Sequence, residues 1–594
     1  MARRFKPLHV LKDDQLLASD PSAHAALSAS AGTGKTQVLT SRVLRLLLGG
    51  VDPGAILCLT FTKAGAAEMA NRIADRLAAW VRMPDQALRH DLFALGEQHT
   101  PPDLQRARRL FARVLETPGG LRIQTIHGFA QTLLASFPAE AGIAPGFQPI
   151  EGRAEAELTR RTPATLFADA EANGDGALIA DVQTLSLRLG EGGAQEYLTT
   201  CARSEEMIEA LGNPLGYEAA LLALIGITEA DAADAIAARL TDDEIDLPTI
   251  EELIEVNRQW DGVKGRTITA NLSVFRKASP AERIEMLDSV GKYLVTSKGE
   301  PCVASTKQTS LHPDYTELLS EFADWLTKLR RLRCAADFAS IQAAGLRAGQ
   351  AFARAYRLAK RAAGVADFDD LIRWTRKLLA VDGMGEWVRF KLDQRTDHIL
   401  VDEAQDTNAD QWAIVDALAS EYFSGQSESD LRWRTLFMVG DYKQAIFGFQ
   451  GTDPKQFDTF RQLASDRAAA AGEAVQDSEG WAREFRDLSI DASFRSSPAI
   501  LQLVDAVIDE VGHDAMGLSR RPNPHGAAHG DRPGEVLWWP PFMPPEAADD
   551  VEEGEEGWIA EPIRLYADAP ARQIKTWLDE AAPLATTERP LCAG

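Results

Sequence analysis

The sequence predicts an α/β protein whose parallel sheet is interrupted along the chain by a block of helices, and three observations carry that prediction. Short apolar runs alternate with amphipathic helical text over the first 150 residues, the pattern of parallel strands with helices on their faces. From about 151 to 350 the text turns rich in Ala, Leu, Glu and Arg with few β-branched runs, as in EAELTRRTPATLFADAEA. The alternation then resumes with HILVDEAQD (398–406) and TLFMVGD (435–441), each an apolar run ending in polar residues. At 594 residues the chain has room for about three to five domains and a large core.

Taken in order, HAALSAS (24–30) reads as the first strand, and Leu39, Val43, Leu46 and Leu47 fall on one face of the helix behind it. AILCLTF (55–61) is the second strand, followed by Met69, Ile73, Leu77 and Trp80 at helical spacing. LRIQTI (121–126) is the third and leads into another helical stretch. Residues 519–558 are dense in Pro, Gly and acid and read as a long loop with an acidic tip. A last helix is expected in EPIRLYADAPARQIKTWLDEAA.

Composition narrows the classes. Apolar residues make up 45% and charged residues 25%, which excludes a mainly disordered, fibrous or disulfide-scaffold protein. The five cysteines, Cys58, Cys201, Cys302, Cys334 and Cys592, are widely spaced without a CxxC pair, so a reducing compartment and no structural zinc are expected. The N-terminal text lacks the apolar run of a signal peptide, and no run of 18 apolar residues occurs, so a soluble cytoplasmic protein without a membrane partner is expected. The formal charge of −25 speaks against a phosphate-rich partner. The distribution softens that, because residues 1–150 carry about +5 and the rest about −30.

The chemistry concentrates at the ends of the expected strands. In ALSASAGTGKTQVLTSRV (26–43) a strand runs into Ala29, Ser30, Ala31, Gly32, Thr33, Gly34, Lys35 and Thr36 and then a helix. In such a phosphate loop the backbone N–H groups and helix N-terminus receive phosphates, the lysine reaches the β/γ oxygens and the hydroxyl ligates Mg²⁺. Ala29 stands where the leading glycine is usual. ATP and Mg²⁺ are the expected ligands, with Asp402 holding the metal through water and Glu403 acting as the base on the attacking water. Gln444 in LFMVGDYKQAIFGFQGTDP can hydrogen-bond a γ-phosphate and a water. Phe447 and Phe449 alternate beside it, as a stacking surface for bases or as plain core. Phe61 and His127 also stand at strand ends, where ligands of parallel sheets gather.

In chain order, Gln15, ASAGTGKT (29–36), TFTKAGAAEMANRI (60–73), TIHGF (125–129), VDEAQDT (401–407), VGDYKQAIFGFQG (439–451) and SFRSS (493–497) resemble the helicase motifs of the UvrD/RecB superfamily. Within it the wording is most similar to the AddA helicase-nucleases of bacterial double-strand break repair, notably in SASAGTGKT, TIHGFAQTLL, ADFDDLI and FGFQGTDP. The resemblance implies RecA-like architecture: a first ATP-binding motor domain over 1–150 and 351–487, a helical subdomain over 151–350 and an incomplete second RecA-like domain over 488–594. It implies that Gln15 reads the adenine, that Gln444 couples γ-phosphate to DNA, and that Arg495 contacts the γ-phosphate across the cleft. Phe61, His127, Phe447 and Phe449 would line a single-strand path. Ala445 stands where the family more often has serine, and Gln450 where many members have arginine.

The same resemblance implies a 3′-to-5′ DNA helicase acting on single strands and duplex ends in recombinational repair, with an AddB-like partner. The family's TVHKSKGLE-like motif and the nuclease carboxylates of AddA do not occur in these 594 residues, and the chain is expected to be about half of such a protein, binding Mg-ATP but only weakly active alone. Two other readings follow: an ATP- and DNA-binding fragment without unwinding, and a phosphate-loop kinase or switch without nucleic acid.

Overall fold

The computed structural model describes residues 7–226, 232–381, 383–393, 396–423, 433–445, 451–476, 482–516, 521–539, 561–583 and 589–591. The chain forms two compact units, one of residues 1–145 with 368–594 and one of residues 146–367.

The first unit is built on six parallel strands: β1 (His24–Ala29), β2 (Ile56–Thr60), β3 (Arg122–Thr125), β4 (His398–Val401), β5 (Thr435–Gly440) and β6 (Phe485–Ile490). Their spatial order is β3-β2-β4-β5-β1-β6. The register pairs Leu27 with Val439 on one side and Leu488 on the other, Leu59 with Val401, and Thr60 with Thr125. Central β2, β4 and β5 are buried at every position, as strands covered on both faces must be, and they are apolar apart from Thr60, His398 and Thr435 at their ends. The edge strands β3 and β6 are only partly buried and carry Arg122, Gln124, Arg486 and Asp487.

Helices α1 (Lys35–Leu48) and α2 (Lys63–Arg82) cover the sheet with the residues that their spacing predicts. Leu39, Val43, Leu46 and Leu47 are fully buried, as are Ile73, Leu77 and Trp80, in one core with Leu27, Phe437 and Val439. Arg42 is buried among them. Its guanidinium donates to the carbonyls of Ala18, Asp20 and Ala23 and to Thr435 Oγ1, and lies 5.0 Å from the centre of the Phe437 ring. This arginine satisfies carbonyls in the turn before β1, buried groups that need a donor. Burial and the positive charge of Arg42 push His24 and His398 down to about 3, so both imidazoles are neutral at pH 7. His24 Nδ1 accepts the Leu436 N–H at 3.0 Å, tying β1 to β5, and His398 Nδ1 lies 2.8 Å from Thr435 Oγ1.

The second unit is helical. Its longest element, α3 (Tyr315–Ala363), runs 49 residues and ends at Gly364, whose φ of 65° is the left-handed conformation that closes a helix. One core gathers Leu253, Leu272, Phe275, Leu287 and Leu326, and another Leu185, Leu198, Phe352 and Tyr356. Two short parallel strands, Gln148–Pro149 and Val365–Ala366, pair the beginning of the unit with its end. No helix among the described residues is long and apolar enough to cross a membrane.

Candidate active site

The carboxyl ends of β1, β4 and β5 converge where an open parallel sheet presents its ligand crevice. After β1 the chain turns through Gly32 (φ 75°) and Gly34 (φ 97°), left-handed conformations that side chains other than glycine's resist. Thr33 fixes the turn by donating its Oγ1 and N–H to the Ser30 carbonyl at 2.8 and 3.3 Å. Helix α1 then starts at Lys35 with Gly34 as its N-cap, no side-chain cap and no acidic residue in its first turn. Uncapped N–H groups at a positive helix end form an anion site. Gln15 Nε2 donates to the Thr33 carbonyl at 3.3 Å, so this side chain packs against the loop.

At the end of β4, the Asp402 N–H donates to the Leu59 carbonyl at 2.9 Å and the Glu403 N–H to Asp402 Oδ1 at 3.0 Å. Glu403 has φ 49°, a left-handed conformation that costs a glutamate about 1–3 kcal/mol and persists only where the surroundings impose it. Its Oε2 accepts Lys35 Nζ at 3.1 Å and Gln405 Nε2 at 2.8 Å. Gln405 Oε1 in turn accepts the Asp441 N–H at 2.9 Å at the end of β5. Asp441 Oδ2 accepts Gln444 Nε2 at 2.6 Å, and Lys443 Nζ donates to Ser30 Oγ at 2.8 Å. The network therefore runs from the phosphate loop through the β4 and β5 ends and back to the loop.

Desolvation, followed by the charge of Glu403, pushes the Asp402 carboxyl up to about 6, and the same two causes raise Asp406 to about 6. Burial is the larger cause of both shifts, the charge of Glu403 adds to it, and Lys35 opposes them. The donors on hand are the Thr36 hydroxyl in the first turn of α1 and the Asp402 carboxylate, hard oxygens that suit Mg²⁺. Among the described residues no cluster of three or more His, Cys, Asp or Glu forms a metal cage. Magnesium in phosphoryl transfer keeps several waters and needs only one or two protein groups beside the phosphates, and the residues present fit that, with Asp402 acting through water.

SFRSS follows β6 and lies directly on the phosphate loop. The Phe494 N–H donates to the Gly32 carbonyl at 2.9 Å and Ser493 Oγ to the Ala31 carbonyl at 2.9 Å. A methyl on Gly32 would collide with Arg495 Cβ, so this glycine also serves the close approach of the two segments. Arg495 is exposed there. Phe61 and His127 lie just beyond the Thr60–Thr125 pair on β2 and β3. Each motif begins a helix by the same device. Thr62 Oγ1 accepts the Gly65 N–H at 2.9 Å and Thr125 Oγ1 the Gly128 N–H at 3.1 Å. Phe61 is half-buried. The His127 ring lies 4.8 Å from Phe368, and desolvation with the charge of Lys63 lowers its pKa. Phe447, Phe449 and Gln450 lie outside the described residues.

Sequence reasoning passed over Gln405, Asp441 and Lys443, all within motifs that it quoted. The available signal was position: each follows a buried strand within four residues, among polar residues that have no other reason to sit there.

These features define an anion site of phosphate-loop form at the carboxyl end of a parallel sheet. The family model for the UvrD/REP helicase N-terminal domain matches residues 11–465, and the chain belongs to that family. Similar proteins include an ATP-dependent helicase/nuclease subunit from Pelotomaculum thermopropionicum, 27% identical over 83% of this chain and 38% of that protein. The protein of the same name from Levilactobacillus brevis is 28% identical over 82% of this chain and 38% of its own length, and that from Bacillus velezensis 25% over 95% and 44%. The chain thus spans about two fifths of the length of the relatives that it matches.

Proposed function

We propose that this chain is the N-terminal motor portion of an ATP-dependent 3′-to-5′ DNA helicase of the AddA type, acting in double-strand break repair in the cytoplasm with an AddB-like partner. The observation that supports it best is the hydrogen-bonded path from Lys35 through Glu403, Gln405 and Asp441 to Gln444. That path joins the phosphate loop to the sequence carrying Phe447 and Phe449, the two expected base-stacking rings.

In this reading the loop N–H groups and Lys35 bind the phosphates, with Gln15 against the adenine. Arrival of phosphate draws Lys35 Nζ away from Glu403, leaving the carboxylate to orient and deprotonate the attacking water. Thr36, and Asp402 through water, would hold Mg²⁺, which would supply positive charge to the phosphates when bound. Arg495 adds a second positive charge, a contribution worth about 10³–10⁵ in rate where such an arginine is complete. Gln444 links γ-phosphate occupancy to the strand of DNA on Phe61, His127, Phe447 and Phe449. Each ring–base stack contributes about 1–3 kcal/mol regardless of sequence.

Duplexes with a 3′ or a 5′ single-stranded tail, incubated with the chain, ATP and Mg²⁺, test the reading. The chain alone is expected to bind Mg-ATP and to turn it over poorly; whatever separation it gives is expected on the 3′-tailed duplex, and separation of the 5′-tailed duplex alone would contradict the polarity. The 38% share of the relatives favours a second reading, in which these residues bind ATP and DNA without separating strands. Binding of both ligands with neither duplex opened would support that one.

A further inference from the structure

The Gln405 side chain is 2% exposed and makes contacts at both ends of its carboxamide. The orientation of that amide is fixed by its partners. A backbone N–H only donates, so the oxygen faces Asp441; an ionised carboxylate only accepts, so the nitrogen faces Glu403. Gly440 leaves room for the arrangement, since a methyl there would sit 2.8 Å from Gln405 Oε1. Glu403 Oε2 is shared between Lys35 and Gln405, and these are its two hydrogen-bond partners among the described residues. When phosphate takes Lys35, Gln405 is the partner that remains.

We propose that Gln405 is the positioning residue for Glu403: it holds the base in its left-handed conformation after Lys35 has moved to the phosphates, and it carries displacements of the β5 end to that base. The inference rests on the reading of Glu403 as the water-activating group. Because Gln405 touches neither phosphate nor adenine in this role, it acts on turnover and leaves nucleotide affinity nearly unchanged. A base displaced by an ångström loses up to about 100-fold in rate.

The test compares Gln405→Glu with the wild-type chain in steady-state ATP hydrolysis, with Mg²⁺ and single-stranded DNA present. Glutamate keeps the shape and the acceptor for the Asp441 N–H, but replaces the donor toward Glu403 by a second carboxylate. A tie that only joins β4 to β5 survives this change; a device that positions Glu403 does not. The expected result is a fall in kcat of about 10- to 100-fold, with weaker ATP binding in Gln405→Glu because the added carboxylate repels the triphosphate, and with KM and the ATP dissociation constant within about threefold of wild type in the uncharged Gln405→Leu. Gln405→Leu, which adds no charge, carries the split between kcat and affinity and serves alone if the glutamate variant fails to fold. Wild-type kcat in a folded Gln405→Glu would overturn the inference alone, as would a loss confined to KM. Full turnover in Glu403→Gln would overturn the reading of Glu403 itself, and this inference with it.

Discussion

Lys35→Ala lowers the affinity for Mg-ATP by about 10²- to 10³-fold. The magnitude follows from removing a charged donor whose hydrogen bonds to phosphate contribute about 1.5–3 kcal/mol each, and every 1.4 kcal/mol is tenfold in affinity. The surroundings push in the same direction. Lys35 is the cation held against Glu403 at 3.1 Å, beside Asp402 and Asp406, whose carboxyls are already raised to about 6 by burial and by Glu403. Without Lys35 the triphosphate meets those acids unscreened, so repulsion adds to the lost contact. Equilibrium titration with a fluorescent ATP analogue measures it. Unchanged affinity would mean that the turn between β1 and α1 is not the phosphate site.

Glu403→Gln separates binding from chemistry. The amide keeps the length of the side chain and a hydrogen-bonding oxygen, so the loop and the path through Gln405 have no steric reason to change. It removes one of three acidic groups at the end of β4, and ATP affinity is expected to hold or improve. The base is lost, and general-base contributions of about 10²–10⁴ in rate set the expected fall in kcat. Paired measurements of hydrolysis and binding check both halves. Full turnover in this variant would remove Glu403 from the reaction and, with it, the role assigned to Gln405.

The sheet was legible wherever strands are buried on both faces. ILCLT, HILV and TLFMVG are mainly apolar because both faces of the sheet are covered, with Thr60, His398 and Thr435 as the buried polar exceptions, and that composition is what a reader of the sequence sees. β6 was not foreseen as a strand, since an edge position permits FRDLSI, with Arg486 and Asp487 in the run. The backbone around 24–48 and the strand end before Asp402 and Glu403 were equally legible, being local: a strand, a turn needing two left-handed glycines and a helix start occupy consecutive residues. Gln405 escaped because its significance is tertiary. Nothing within VDEAQDT says that its carboxamide spans to the Asp441 N–H 36 positions later. The same holds for Lys443 on Ser30 and for the seating of Ser493 and Phe494 on the phosphate loop, contacts between residues more than 400 positions apart.

The central claim is that DNA governs hydrolysis at the phosphate loop, and the rate of ATP hydrolysis by the wild-type chain, with Mg²⁺ and with and without single-stranded DNA, tests it most directly. The account predicts hydrolysis that rises with single-stranded DNA and loses that rise as salt increases, because phosphate contacts are displaced by counterions. Hydrolysis at one rate whether DNA is present or absent, with no DNA bound at low salt, would contradict it and favour a phosphate-loop enzyme that does not act on nucleic acid.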